Sequence, residues 1–302
     1  MQENTVKVRV PGTTANCGPG FDSVGIACTI YNELELTLRN DHQLIIEVHG
    51  EGCKNIVCDE RNIVWKSMQV LFQKAGFAPK GAYIKMLNHV PLSRGLGSSA
   101  AAIVAGLFAA NAAIEAGYDK QEIFQMATQI EGHPDNVAPA IFGGVTLSIV
   151  KDGIAETLSF VPEKKLKMIV AVPSFNLSTK LARKVLPLDV SMKDAIFNIS
   201  RTALLVGSLC KGEFSHLRHA LEDALHQPYR TQLIPGMQDV FDAANQHGAL
   251  GAALSGAGPC LIAFATNNMQ NIGEAMVAAF NKNDVEAKYF ILDIDETGVQ
   301  II

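Results

Sequence analysis

The stretch Pro91-Leu92-Ser93-Arg94-Gly95-Leu96-Gly97-Ser98-Ser99-Ala100-Ala101 joins an alternating segment, Gly81 to His89, to an apolar, alanine-rich one. The alternation predicts a strand, and the alanine run predicts a helix over Ser99 to Ala116 closed by Gly117. Gly95 and Gly97 let the joining backbone approach a bound group with no Cβ in the way. The serine pair falls at the helix N-terminus, where unpaired amides and the helix dipole favour an anion. Strand, glycine loop and helix start together outline a phosphate cradle. No Gly-Lys-Ser/Thr follows, so this is not a Walker A loop. Gly95 to Ala100 also fits G-x-G-x-x-A, but the acidic residue that a dinucleotide site needs about 20 residues on would be Glu115, inside the same helix. A dinucleotide loop is rejected on that ground.

The surrounding chain is globular in composition. At 302 residues it has room for two domains of about 150 residues each, with cores that need no disulfide or metal staple. A content of 48% hydrophobic and 18% charged residues excludes disorder, collagen and coiled coil as the main state. The net charge of −5 gives no basic surface for nucleic acid or anionic lipid. The longest apolar stretch starts at Ala100, is broken by Asn111 and Glu115, and is too short to cross a bilayer. Met1 to Val10 lacks the apolar run of a secretory signal. Cysteines 17, 28, 53, 58, 210 and 260 show no C-x-x-C and no zinc spacing. They are expected as reduced thiols of a cytoplasmic protein.

Working outward, Thr5 to Val10 and Asn32 to Leu38 alternate as strands, and Gln43 to His49 is expected as the hairpin partner of the second. Asn62 to Ala75 is a helix stopped by Gly76, and Asp119 with Glu122 forms a capping box for a helix to Ile130. Gly143 to Val150 is a strand. Turn residues and charges cluster in Lys151 to Lys165, which divides the chain into 1–160 and 161–302. The second part begins with a strand, Met168 to Val172. Ser178 caps a helix ending before Pro187, and Ser191 with Asp194 caps one to Cys210. Helices are expected at Glu213 to Leu225, Met237 to Gln246 and Asn268 to Phe280. Strands are expected at Ala249 to Leu254, Cys260 to Ala265 and Glu286 to Leu292. Strands and helices interleaved with short antiparallel turns imply two α+β sandwiches.

Four further clusters carry polar chemistry. Thr13-Thr14-Ala15-Asn16-Cys17-Gly18-Pro19-Gly20-Phe21-Asp22 is a glycine-framed loop with several polar side chains. Singly, Asn16 and Asp22 read as Asx turns; together they read as a wall facing a substrate. Glu131-Gly132-His133-Pro134-Asp135-Asn136 packs four polar functional groups into six residues between two helices, denser than a plain connection requires. Ser255-Gly256-Ala257-Gly258 is a small-residue turn between two strands, where backbone must come close to something. Thr179 and Arg183 lie four apart on one helix face. Arg230 is a second candidate partner for a carboxylate.

In this order the five pieces resemble the GHMP small-molecule kinases, and within them the homoserine kinase family. Pro-x-x-x-Gly-Leu-Gly-Ser-Ser-Ala is similar to the superfamily's ATP loop. The first loop, Thr-x-Ala-Asn-x-Gly-Pro-Gly-Phe-Asp, resembles the homoserine kinase form; mevalonate and galactose kinases carry a Lys or Arg there, and this chain has none. The likeness runs from Val6 to Leu292. In many relatives a longer link joins the Glu to the His, whereas Glu131 and His133 are two apart.

The resemblance implies a two-domain α+β GHMP fold. Its N-terminal domain would contain a left-handed βαβ crossover, against the usual hand, and its C-terminal domain would be a ferredoxin-like sandwich. ATP would sit on residues 91–101 with Asn62 beside the adenine. Mg²⁺ would be held by Glu131 and Ser99, with Ser98 as the alternative. Arg183 and Arg230 would take the carboxylate of L-homoserine, and Asn16, Asp22, His133, Asn136 and Thr179 its amine and hydroxyl. The amide of Asn136 cannot take a proton, and Asp22 and His133 stay open as alternative bases. The product would be O-phospho-L-homoserine on the way to threonine, from a homodimer. The alternative is another GHMP kinase of mevalonate or sugar type.

Overall fold

The computed structural model describes residues 5–302. In chain order its elements are β1 (Thr5–Asn16), β2 (Gly20–Arg39), β3 (Leu44–Gly50), α1 (Ile63–Lys74), β4 (Gly81–Asn88), α2 (Ser98–Ala113), α3 (Lys120–Glu131), α4 (Val137–Phe142), β5 (Val145–Lys151) and β6 (Ile154–Phe160). There follow β7 (Lys167–Pro173), α5 (Thr179–Lys184), α6 (Met192–Lys211), α7 (Leu217–Ala220), α8 (Gln227–Arg230), α9 (Met237–Gln246), β8 (Gly251–Leu254), β9 (Leu261–Ala265), α10 (Met269–Lys282), β10 (Ala287–Leu292) and β11 (Gln300–Ile301). Among the described residues no helix is long and apolar enough to cross a membrane.

The first sheet runs β11-β1-β2-β4-β3, with β5 pairing to β2 and β6 to β5. The long β2 serves two neighbours. Its second half lies against β4, Asn32 opposite Asn88, and its first half against β5, Val24 opposite Leu147. One face carries Val8, Leu34, Leu36 and Ile84 into a core with Met68 and Phe72 of α1, Val104 and Leu107 of α2, and Phe124 of α3. The helix α2 is buried along most of its length. This explains why its alanine-rich sequence shows no polar face: a helix surrounded by protein needs none.

The second sheet runs β10-β7-β9-β8 with every pair antiparallel. Strand, helices, strand, strand, helix, strand in that order is the ferredoxin-like arrangement. Its central strand β7 divides its side chains between two cores. Met168, Val170 and Val172 meet Val24, Ile26 and Leu96 of the first domain. Ile169 and Ala171 meet Val240, Ile272, Met276 and Phe280. A strand buried on both faces reads as an unbroken apolar run, and Met168 to Val172 does so. The two sheets therefore share a core.

Several expectations need correction. Residues Gln43 to His49 do form a strand, but β3 is not the hairpin partner of β2: it runs parallel to β4, Ile46 opposite Ile84. Alternation reveals a buried face but not a neighbour, and β4 arrives later through α1 and inserts between β2 and β3. The helix expected over Glu213 to Leu225 is a 3₁₀ turn, Phe214–His216, and the single turn α7. Beyond it the Asp223 carboxylate accepts from the amides of Leu225, His226 and Gln227, a local competitor to helical bonding. The helix expected over Ser99 to Ala116 is α2, Ser98–Ala113. The cluster at 151–165 contains β6, and α4, α8 and β11 are too short for periodicity to show. Through β11 the chain end returns to the first sheet, Val8 opposite Ile301.

Entry into the glycine loop before α2 depends on one side chain. The buried Asn32 Oδ1 accepts from the amides of both His89 and Val90, where β4 ends and the loop begins. Asn32→Ala strips two amides of their acceptor and is expected to cost about 1–3 kcal/mol. Equilibrium urea unfolding of the variant beside the parent protein measures this.

Candidate active site

The loop from Pro91 to Gly97 is held from both domains. The Thr13 amide donates to Leu96 O (3.0 Å) and the Cys260 amide to Arg94 O (3.2 Å). The Ser255 hydroxyl donates to Gly95 O (2.6 Å), and the Gly256 amide reaches Ala15 O of the first loop (3.0 Å). The small-residue turn thus comes close to the glycine loop itself. Gly95 has φ +81°, and a Cβ there would lie 2.1 Å from Ser255 O. Gly97 has φ +65°, and a Cβ there would lie 1.8 Å from Thr13 Oγ1. Arg94 does not offer its cation to the cavity alone: Nε and Nη2 donate to Phe175 O and Ser174 O (3.2 and 2.8 Å).

At the mouth of α2, the Ser99 hydroxyl donates to Glu131 Oε2 over 2.8 Å. The short link from Glu131 to His133 still brings the carboxylate to the helix start. Burial raises the Glu131 pKa, against the lowering effect of the Ser99 bond. Next to it, His133 Nδ1 lies 2.6 Å from Asp135 Oδ1. This bond raises the His133 pKa and favours the imidazolium. Asp135 is 2% exposed and also accepts from Asn136 Nδ2 (3.3 Å). Asn136 Oδ1 accepts from the Thr13 hydroxyl (2.8 Å). Oxygen donors in this number suit Mg²⁺, which prefers hard ligands and takes one or two carboxylates while keeping its phosphate and water oxygens.

The opposite wall carries the cations. Arg183 makes a two-pronged bond to Asp22, Nη2 to Oδ1 at 2.7 Å and Nη1 to Oδ2 at 3.0 Å. That bond raises the Arg183 pKa. Arg230 differs. It is 1% exposed, and its acceptors are neutral: Ala182 O, Gly256 O and His226 Nδ1. Burial lowers its pKa to about 10, and the neighbouring Arg183 charge adds to the effect. Both guanidinium carbons lie 5.4 Å from the Phe21 ring centre. Asn16 is consumed by the protein, donating to Gly256 O and accepting from the Asp22 amide.

One cavity of about 510 Å³ joins these parts. Asn16, Asp22, His133, Asn136, Thr179, Arg183 and Arg230 line it together with Leu92 to Gly95, Gly97, Ser98, Ser99 and Glu131. Pro91, Leu96, Ala100 and Ala101 lie behind that lining. So does Asn62, whose buried amide caps α1 at the Val64 amide and donates to Val57 O, leaving Ile56 and Ile63 on the wall.

Residues 62–144 match the family model for the GHMP kinases N terminal domain, and residues 205–282 match GHMP kinases C terminal. The chain is 42% identical to homoserine kinase of Carboxydothermus hydrogenoformans over 97% of this chain and 95% of that one. It is 44% identical to homoserine kinase of Moorella thermoacetica over 92% and 94%. The crystal structure of homoserine kinase from Cytophaga hutchinsonii superposes with a TM-score of 0.91 at 29% identity, covering 100% of this chain and 98% of that one. The chain belongs to the homoserine kinase family. It is a kinase of the two-domain GHMP fold, with the glycine loop before α2 and the two arginines lining one cavity.

Three residues of this family member went unread as site residues. Asp135 was part of a quoted cluster, and its place between His133 and Asn136 gives it both as partners. Phe21 lies in the first loop but offers no polar group, and His226 carries no motif; only the fold brings them beside the arginines. Gly97→Ala is expected to push Thr13 off Asn136 and to lower kcat/KM at least about 100-fold, as a displacement near 1 Å can. Gly117→Ala is the control. Its φ is +78° with open space around the Cβ, so it should cost only about 1–2 kcal/mol of stability and leave turnover intact. Steady-state kinetics and thermal melts separate the two.

Proposed function

We propose that the protein transfers the γ-phosphoryl group of ATP to the hydroxyl of L-homoserine. The observation that carries the substrate is Arg230. A buried guanidinium with only neutral acceptors is costly, and it sits on the wall of the cavity that the phosphate loop enters. A carboxylate on the substrate offsets that cost. The pair Asp22–Arg183 matches the rest of an amino acid zwitterion: its carboxylate complements an ammonium and its guanidinium a carboxylate. Substrate exchanges a protein ion pair for two of its own.

Phosphoryl transfer asks for positioning and charge neutralisation more than covalent chemistry. The amides from Gly95 to Ser99 cradle the phosphates at the N-terminus of α2. Ser99 and Glu131 would hold Mg²⁺, which supplies neutralisation of the charge on the phosphate oxygens. The Asp135 bond raises the His133 pKa and favours the imidazolium, in which form the ring donates and cannot act as a base. Asn136, Asn16 and Thr179 border the space left for the hydroxyl and amine. On the strength of the family we extend the proposal to a cytoplasmic homodimer that feeds threonine synthesis, with the domain division at 160/161.

An ADP-release assay over homoserine, mevalonate, galactose, shikimate and serine tests the proposal. Homoserine is expected to give much the highest kcat/KM, and a preference for mevalonate or a sugar overturns the assignment. Arg230→Met removes one partner of a desolvated charge pair, so KM for homoserine should rise about 30-fold to several thousand-fold with the KM for ATP unchanged. Arg183→Met should act in the same direction with a smaller effect, because Arg183 is half-exposed. A change confined to ATP would show that this wall faces the nucleotide. Glu131→Gln should raise the Mg²⁺ concentration needed for half-maximal rate, and a titration curve unchanged from the parent's excludes Glu131 as a ligand.

A further inference from the structure

His226 is the first residue before α8, one turn from Arg230, and none of its surface is exposed. Its two ring nitrogens face opposite demands. Nε2 lies 2.7 Å from Gly18 O, a carbonyl that can only accept, so Nε2 carries the proton. Nδ1 lies 3.2 Å from Arg230 Nη1, a group that can only donate, so Nδ1 is a bare lone pair. The ring stacks on Phe21 at 5.1 Å between centres. Burial also lowers its pKa, in agreement with the neutral tautomer that these two bonds require.

The nearest anion to the ring is Asp223, with its Oδ2 3.6 Å from Nε2. That carboxylate is occupied: it accepts from three backbone amides and from Asn198 Nδ2. Arg230 therefore meets a neutral acceptor, although most buried arginines meet a carboxylate. Its Nε and Nη1 are fixed by Ala182 O, His226 Nδ1 and Gly256 O, and no acceptor among the described residues engages Nη2.

We propose that His226 is a positioning residue that fixes the Arg230 guanidinium by a neutral acceptor, so that the cation is aimed without being neutralised and its charge is kept for the carboxylate of the substrate. The same ring ties that cation to Gly18, at the head of the loop that ends in Asp22. This assignment rests on the reading of Arg230 as a carboxylate binder. It adds that the neutrality of residue 226, and not only its shape, sets the affinity.

Asparagine and aspartate separate charge from shape. Each places an oxygen near the position of Nδ1, and only aspartate carries a charge. His226→Asn keeps a neutral acceptor for Arg230, whereas His226→Asp supplies an internal carboxylate that competes with the substrate's. KM for homoserine is expected to be about 10- to 100-fold higher in the Asp variant than in the Asn variant, the range of one charged hydrogen bond. KM for ATP should be equal in the two, and the melting temperature of the Asp variant should not be lower. A purely structural role predicts that KM for homoserine follows stability. Equal values of KM for homoserine in the two variants overturn the proposal.

If the Asp variant does not fold, His226→Gln replaces it. Gln retains a donor for Gly18 O and loses the acceptor for Arg230. The Asn variant should then stay nearer the parent's KM for homoserine than the Gln variant, and the reverse order overturns the proposal. Failure of the underlying reading looks different. In that case the parent protein itself would phosphorylate 3-aminopropanol, which lacks the carboxylate, as readily as homoserine, whatever residue 226 is.

Discussion

Three segments from two domains meet at the loop Pro91–Gly97 with no room for a side chain at Gly95 or Gly97, and the rest of the site is arranged around that contact. Leu96 O takes the Thr13 amide, Gly95 O takes the Ser255 hydroxyl, and Ala15 O takes the Gly256 amide. A Cβ at Gly95 or Gly97 would fall on Ser255 O or Thr13 Oγ1. The cost of this approach is borne by glycine, which accepts positive φ and leaves the space empty. The benefit is a loop whose amides are fixed in direction before any ligand arrives. In a site where catalysis is mostly positioning, that pre-organisation is the chief contribution a protein can make.

The two arginines illustrate different solutions to holding a cation for a ligand. Arg183 is half-exposed and shares its charge with Asp22, so the protein without substrate is not left with a bare charge. Arg230 is buried and shares its charge with nothing nearer than the fields of Asp22, Asp223 and Asp135. The first has water and a carboxylate to release before it binds; the second has already been desolvated during folding. Burial and pairing therefore divide the work. Under the proposed function, the paired arginine would limit the cost of the empty site and the unpaired one would supply the drive to fill it. Phe21 between them offers an aromatic face to both.

Much of the fold was legible, and the reasons are local. Capping chemistry at Asp119 and Glu122 is present as written, with both bonds of the capping box made. Helix α9 runs Met237–Gln246 as its periodicity predicted. What failed was partner choice: the alternation of β3 was sound, but nothing in residues 43–49 announces that β4, some thirty positions later, will come between it and β2. The site divides in the same way. Residues in dense clusters come together on one cavity wall, as polar groups among glycines lead one to expect. Asn62 carried no such context, and in the fold its amide serves the helix start and Val57 O. His226 and Asn32 stayed silent because each acts through neighbours far away in sequence: His226 through Gly18, Asn32 through the turn at residues 89–90.

The spacing between the loop Pro91–Gly97 and the arginine wall follows from how the domains are joined. A cleft between domains usually implies a hinge, yet here the sheets share a core in which Met168 and Val170 of β7 meet Val24 and Ile26 of β2. Above that core, Arg94 donates to Ser174 O and Phe175 O, and the Leu177 amide donates to Ser93 O. The phosphate loop is therefore bonded directly to the segment that leads into α5. Thr179 and Arg183 ride on α5, so these side chains are set at a fixed distance from the loop Pro91–Gly97. A large domain rotation would have to break the shared core as well as these bonds, and burial of apolar surface makes that the costlier part. What is free to change is smaller: the Asp22–Arg183 pair, which lies at the surface of the cavity and belongs to neither core. Under the proposed function, opening that one pair would admit the substrate while the glycine loop and α5 keep their bonds to one another.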